Sequence, residues 1–419
     1  MTRLPKKLQD KLVQRDVQNT LRHLPEANNL VDFSSNDYLG LSRDAKLFQR
    51  ASQLLAERGI LQNGATGSRL LSGNHSLYSE LEAKLSEFHQ TESALVFNSG
   101  YDANIGFFGS VPQRGDVVFY DEFIHASIRD GIKMGNAKAY KFKHNDIGDL
   151  QRKYQIEFQR RGDDSIEIPK SSTGVGYVIT ESVFSMDGDS PELKAFVRFC
   201  QKNRCHLVVD EAHAVGVFGI NGQGLVQTLE LHDAVFARII TFGKAVGCHG
   251  AAILGSKNLK NYLVNFARSL IYTTAMPPHS LATVLASYEN LTASRLTSDE
   301  QIAQNQIVNL SETIAYFNHK LKLLHLHLED ASKASSSDDG LDSYFIPSVS
   351  AIHCCVLPGN ERVRAISEKI QKAGFDVKAI LSPTVPKGKE RLRICLHSFN
   401  THEEIDNVLQ TLSFCIQNP

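Results

Sequence analysis

Apolar and polar positions along the chain fall into three textures. Over residues 5–22, Leu8, Leu12, Val13, Val17 and Leu21 recur at helical spacing between Lys, Gln, Arg and Asp. That pattern predicts an amphipathic helix in need of a partner surface. The following DFSSNDYLGL (32–41) reads as a short strand and a turn. From about residue 64 to 270, short apolar runs alternate with amphipathic stretches such as 77–88 and 192–202. The runs lie at 94–97, 116–120, 175–180, 206–209, 237–241 and 251–254. Buried strands separated by helices predict an α/β fold with a mainly parallel sheet covered on both faces.

Beyond Met276-Pro277-Pro278 the texture changes again. A long helical stretch is expected from about residue 280 into the 320s, then an exposed polar loop at 331–343 (ASKASSSDDGLDS). Strand-like 351–357, 377–380 and 391–396 with an amphipathic helix at 362–372 predict a smaller α+β domain. The division expected is an N-terminal arm and helix (1–42), a large domain (43–278) and a small C-terminal domain (279–419). In parallel sheets, chemistry collects just past the carboxyl ends of the strands. All but the last of the six runs end in polar or small residues there: Asn98-Ser99-Gly100, Asp121-Glu122, Glu181-Ser182, Asp210-Glu211 and Phe242-Gly243-Lys244.

Composition removes several classes of function. Among 419 residues, 45 Lys and Arg offset 46 Asp and Glu, a formal net charge of −1. That balance argues against capture of nucleic acid or of an anionic membrane through bulk basic charge. No run approaches the ~20 apolar residues of a membrane span, and the N-terminus lacks the apolar core of a signal peptide. Seven cysteines without a CxxC pair read as reduced thiols in a cytoplasmic protein.

Lys244 is the most informative residue, because a lysine among small residues after a buried strand is costly unless paired or lowered in pKa. A lowered lysine pKa is also what makes a Schiff-base former; taken alone, the position more often holds a snorkelling lysine. Asp210 ends the run HLVV, and His213 follows three residues on in DEAHAVGVFG. DEAH invites an ATPase reading, but that requires GxxxxGK[ST] upstream. The segment Gly64-Ala65-Thr66-Gly67-Ser68-Arg69 lacks the lysine, and Lys244 is followed by alanine. No HExxH occurs, and Asp210 with His213 makes a poor metal site. Asn98-Ser99-Gly100-Tyr101 would open a helix whose amides form an anion site. Together the set suits pyridoxal 5′-phosphate (PLP): Gly100 and hydroxyls for the phosphate, Asp210 for the pyridinium, Lys244 for the aldehyde and His125 as a flat residue over the ring.

The ordered strings FSSNDYLGLS (33–42), GSRLLSGN (67–74), FNSGYDAN (97–104), DEFIHASI (121–128), TESVFSMDGDSPEL (180–193), VVDEAHAVGVFG (208–219), TFGKAVGCHGAA (241–252), IYTTAMPP (271–278) and SPTVPKGKERLRICL (382–396) extend the pattern over nearly the whole chain. In them the sequence resembles the α-oxoamine synthases of PLP fold-type I, the aspartate-aminotransferase-like fold. The resemblance implies that Lys244 binds the cofactor aldehyde and later moves the α-proton. Asp210 would pair with the ring nitrogen, His213 with its phenolic oxygen, and His125 would stack on the ring. Ser99, Gly100, Tyr101, Glu181, Ser185 and Thr241 would complete the cofactor site, with Thr273 or Thr274 from a second subunit of a homodimer. Arg22, Asn36, His125, Thr384 and Arg393 would bind substrate; no metal is implied.

Within the family, TFGK, SMDGD and SPTVPKG are most similar to members that condense L-alanine with a pimeloyl thioester, on coenzyme A or an acyl carrier protein, in biotin biosynthesis. Members using glycine or serine (glycine C-acetyltransferase, 5-aminolevulinate synthase, serine palmitoyltransferase) and cofactor-free regulatory homologues are the alternatives. The chain departs from the family in its glycine-poorer 64–68 segment, in Tyr78 where histidine is frequent, and in longer loops at 160–172 and 331–343.

Overall fold

The computed structural model describes residues 4–18, 20–22, 24, 26, 28–159, 174–292, 302–332 and 344–418. Its strands, in chain order, are β1 (Val31–Asp32), β2 (Ser93–Phe97), β3 (Val117–Asp121), β4 (Lys138–Phe142), β5 (Gly176–Glu181), β6 (His206–Asp210), β7 (Ala237–Thr241), β8 (Ala251–Gly255), β9 (Ile352–Val356), β10 (Phe375–Asp376), β11 (Lys378–Ile380) and β12 (Arg391–Cys395). β2 to β8 form one sheet in the order β2-β8-β7-β6-β5-β3-β4. Only β8 runs against its neighbours, so the carboxyl ends of the other six meet at one edge.

Side-chain alternation explains why the inner strands read as continuous apolar runs. Ile179 and Val208 join one cluster, under the helices Gly100–Phe108, Ala126–Met134 and Lys257–Phe266. Their neighbours Val178, Leu207 and Val209 point the other way, into a cluster with Phe196 and Phe199 of the helix Leu193–Asn203. Both faces are therefore covered, and each inward side chain removed from water contributes about 1.5–3 kcal/mol. The strand β4 was not expected. Its sequence KAYKF is mostly exposed at the sheet edge, and lysines there suit an edge that must not pair with another chain.

The third texture holds a three-stranded antiparallel sheet, β11-β12-β9. The strand expected at 377–380 is β11, one residue shorter, and pairs with β12; a separate two-residue strand, β10, precedes it and pairs with β1. That pairing ties the beginning of the chain to its last third. Between 280 and the 320s lie two helices, Pro278–Thr292 and Ile302–Ser332. The expected 331–343 loop is corrected at its start, since 331 and 332 still belong to the second helix; the rest of it, and the loop at 160–172, lie outside the described residues. The first helix is Lys6–Val17, with Leu8, Leu12, Val13 and Val17 exposed.

One turn joins the two sheets. After β5, the Arg391 guanidinium donates to Met186 O at 2.8 Å and to Asp187 Oδ1 at 2.5 Å. Gly188 then passes so close to β9 that a Cβ would lie 2.0 Å from Ile352 O, at a φ of +76°. Only glycine fits such an approach. No helix among the described residues is long and apolar enough to cross a membrane.

Candidate active site

A cavity of about 260 Å³ opens at the carboxyl edge of the large sheet. Its floor follows from register: Glu181 and Asp210 are paired positions at the ends of β5 and β6, and Lys244 comes three residues after β7 ends. Burial and the proximity of Asp210 push the Glu181 carboxyl well above the usual carboxylate range. Burial also brings the Lys244 amine down to about 8, against the opposing pull of Asp210 and Glu181. At pH 7 about a tenth of Lys244 is therefore a neutral amine with a free lone pair, a far larger share than an ordinary lysine has.

Lys244 Nζ lies 2.7 Å from His213 Nε2, and His213 Nδ1 lies 2.8 Å from the Tyr38 hydroxyl. Burial, then the charge of Lys244, holds His213 well below its ordinary pKa. Tyr38 in turn donates to Asn36 Oδ1 at 3.1 Å, which also accepts from Arg393 Nη2 at 2.8 Å. A consistent direction runs Lys244 to His213 to Tyr38 to Asn36, closed by the guanidinium from β12. Arg393 Nε also donates to the Ser185 carbonyl at 2.8 Å. The small sheet thus supplies a fixed cation to a cavity built on the large one.

The opposite end suits an anion. Ser99 caps the helix Gly100–Phe108 through the Asp102 amide, leaving the Gly100 and Tyr101 N–H groups of the first turn without intrahelical partners. A Cβ on Gly100 would meet Thr241 Cγ2 at 2.7 Å, so the backbone there is held against β7. The Thr241 hydroxyl is buried and has no hydrogen-bond partner among the described residues. An orphaned hydroxyl beside free helix amides is a cradle awaiting acceptor oxygens. Asp210, held by Asn104 Nδ2 at 3.1 Å and the Ala212 amide at 2.9 Å, presents a buried carboxylate between this cradle and Lys244. Phosphate, ring nitrogen and aldehyde of PLP all find matching groups, so the residues fit that cofactor.

Asn36, Ser99, Gly100, Tyr101, His125, Glu181, Asp210, His213, Thr241 and Lys244 all line the cavity. The Tyr101 hydroxyl donates to Asp130 at 2.9 Å, and the residue is half exposed. Arg393 stands one hydrogen bond behind the lining, through Asn36, and Ser185 stands one further, through Arg393. Thr273 and Thr274 lie outside it, receiving Asn98 Nδ2 at the Thr273 hydroxyl (3.2 Å) and the Thr274 carbonyl (2.7 Å). Thr384, exposed in the turn after Ser382-Pro383, and Arg22, exposed before β1, are not brought to the cavity. Tyr78 packs beneath the Arg69 guanidinium, 3.8 Å from its ring, and accepts the Met276 amide at 2.7 Å. Asn104, Ser127, Ala212 and His249 also line the site without having been assigned to it. All four sit inside the quoted strings; what marks them is the position of those strings at strand ends. Among the described residues no three His, Cys, Asp or Glu side chains converge as a metal site.

A mainly parallel seven-stranded sheet with aspartate ending one strand and lysine following the next is the fold-type I architecture of PLP enzymes. The chain belongs to the aminotransferase class I and II family, whose profile matches residues 28–412. It is 38% identical to an 8-amino-7-oxononanoate synthase of Emericella nidulans, over 98% of this chain and 93% of that protein. Among solved structures, a Sphingomonas wittichii serine palmitoyltransferase superposes with a TM-score of 0.80 at 25% identity, covering 100% of this chain and 99% of that one. The 8-amino-7-oxononanoate synthase of Francisella tularensis gives 0.69 at 27% identity, covering 94% and 99%.

Proposed function

We propose that this chain is a PLP-dependent acyltransferase that condenses L-alanine with a pimeloyl thioester, releasing CO2 and the free thiol, to form 8-amino-7-oxononanoate in biotin biosynthesis. The observation that carries the reading is Lys244, whose amine is lowered to about 8 and directed at His213 beside the Asp210 carboxylate; the full-length similarity to the Emericella enzyme supports the substrates. When bound, PLP supplies an electron sink for the pair released at the amino acid's α-carbon. Gly100 and Tyr101 amides with the Thr241 hydroxyl would hold its phosphate, and Asp210 would keep a proton on its ring nitrogen. Lys244 Nζ, free of charge in part, takes the α-proton and later returns it. Arg393, already buried and fixed through Asn36 and Ser185, offers a fork for a substrate carboxylate. His213 and Tyr38 keep the lysine amine in place between these events.

The working unit in this reading is a homodimer, with Thr273 or Thr274 completing the partner's phosphate cradle; the placement of both outside their own cavity supports this. Arg22 and Thr384 would reach substrate from the arm (1–42) and the small domain (279–419), the large domain being 43–278. Coenzyme A and an acyl carrier protein are both acceptable carriers of the pimeloyl group.

Purified protein is expected to be yellow, and borohydride should bleach it while fixing the cofactor to Lys244. Thiol release is then measured for L-alanine, glycine and L-serine against pimeloyl, acetyl and palmitoyl thioesters. Alanine with the pimeloyl thioester should be fastest. Glycine with acetyl, or serine with palmitoyl, turning over faster would overturn the substrate assignment while leaving the chemistry of the class intact.

A further inference from the structure

His125 caps the helix Ala126–Met134 with its own ring: Nδ1 accepts from the Ser127 backbone N–H at 3.3 Å. A backbone N–H can only donate, so Nδ1 must carry a lone pair, and the hydrogen of the neutral ring sits on Nε2. The Ser127 hydroxyl is 2.7 Å from the same Nδ1. That hydroxyl accepts from Asn104 Nδ2 at 3.0 Å, so its own hydrogen is free for the ring. Asn104 Nδ2 also donates to Asp210 Oδ2 at 3.1 Å. The reversed amide would set a carbonyl against a carboxylate, so only one orientation is consistent. Asn104 is 2% and Ser127 1% exposed, so these bonds are made largely away from bulk water.

We propose that Asn104 and Ser127 are positioning residues: Asn104, oriented by Asp210, donates to the Ser127 hydroxyl, which donates in turn to His125, holding it as its Nε2–H tautomer and making it a hydrogen-bond donor rather than a base. The tautomer rests on geometry alone; its value in turnover rests on the reading of the site given above. The charged and titratable groups around His125 are Glu181, which accepts its backbone N–H at 2.5 Å, with Asp210, His213, Lys244, Arg129 and Asp130. Burial and Lys244 oppose protonation of the ring, and Asp210 favours it. Adding a proton at Nδ1 would also break the helix cap and turn the Ser127 hydroxyl away. A neutral ring with its donor outward suits an oxygen of the bound substrate.

The test is 15N-histidine NMR on the cofactor-free protein, with the His125 signals assigned by His125→Gln. Wild type should show a bare Nδ1 and a protonated Nε2. Ser127→Ala should move the His125 titration upward by about 0.5–1 pH unit and lower kcat about tenfold in the PLP-loaded enzyme. Ser127→Thr, which keeps the hydroxyl, should restore both. A protonated Nδ1 in wild type overturns the proposal. So does a Ser127→Ala variant whose histidine titration stays put, or a failure of threonine to rescue. Because the NMR signature needs no substrate, it can fail while the acyl-transfer reading stands, and the reverse.

Discussion

Replacing Lys244 by methionine should stabilise the cofactor-free protein at neutral pH. The lysine pKa falls from 10.5 to about 8, with burial as the largest cause. A depressed lysine pKa means that the folded state binds protons less readily than the unfolded chain. Below pH 8 the amine is charged in both states and the folded state carries the whole penalty. Between pH 8 and 10.5 the unfolded chain holds more protons, so wild-type stability rises with pH. Above 10.5 the penalty is gone. At about 1.4 kcal/mol per pH unit the shift amounts to about 3 kcal/mol, and solvent reaching the amine through the cavity reduces this to about 2–3 kcal/mol. Methionine has similar length and no charge, so Lys244→Met should unfold at higher urea by that margin at pH 7. The gap should close as pH approaches 10.5. Urea titrations of both proteins at pH 7, 8.5 and 10, without cofactor and at one protomer concentration, measure it. A methionine variant no more stable at pH 7, or a gap that does not shrink with pH, would refute a lysine held at the expense of the fold.

Three further outcomes follow from the same geometry. Asp210→Asn should weaken PLP binding and slow exchange of the amino acid's α-proton, each by on the order of 10²-fold; absorbance titration and proton-exchange NMR read the two. Arg393→Lys keeps the charge but cannot span Asn36 Oδ1 and the Ser185 carbonyl, so KM for the amino acid should rise about tenfold or more with kcat less affected. His144 donates to Asp121 and Asp189, at 3.0 and 2.8 Å, and these carboxylates raise its pKa to about 10 against the effect of burial. A raised pKa gives stability that is full below about 6.5 and lost as pH climbs through 10. His144→Gln should therefore cost about 3 kcal/mol at pH 6 and progressively less towards pH 10 in urea titrations.

The strands that place the chemistry were legible because a strand buried on both faces has few polar positions to confuse its reading: β5 and β6 carry seven apolar or small residues besides His206, Thr180 and the terminal acids. The edge strand β4 was not, since a strand exposed along most of its length shows neither alternation nor an apolar run. The division of residues 375–380 between β10 and β11 was hidden for a different reason. Each piece answers to a different partner, β10 to β1 near the other end of the chain and β11 to β12 just across the next loop, and local periodicity holds no record of that choice.

The site divides along the same line. Lys244, Asp210, Glu181 and Thr241 could be picked out because each lies at or just past the end of a buried run, and although each alone admits a structural role, together they match one cofactor. Asn104, Ser127 and Tyr38 look like ordinary helix and turn residues until the sheet order sets them against Asp210, His125 and His213. Arg393 and Asn36 are 357 positions apart and meet at 2.8 Å. Strand ends thus announce which groups do chemistry, whereas the groups that aim them are chosen by topology. That is why the relay through Asn104 and Ser127 is the part of the site that most needs measuring: its partners touch only because β2, β3 and β6 deliver their ends to one edge.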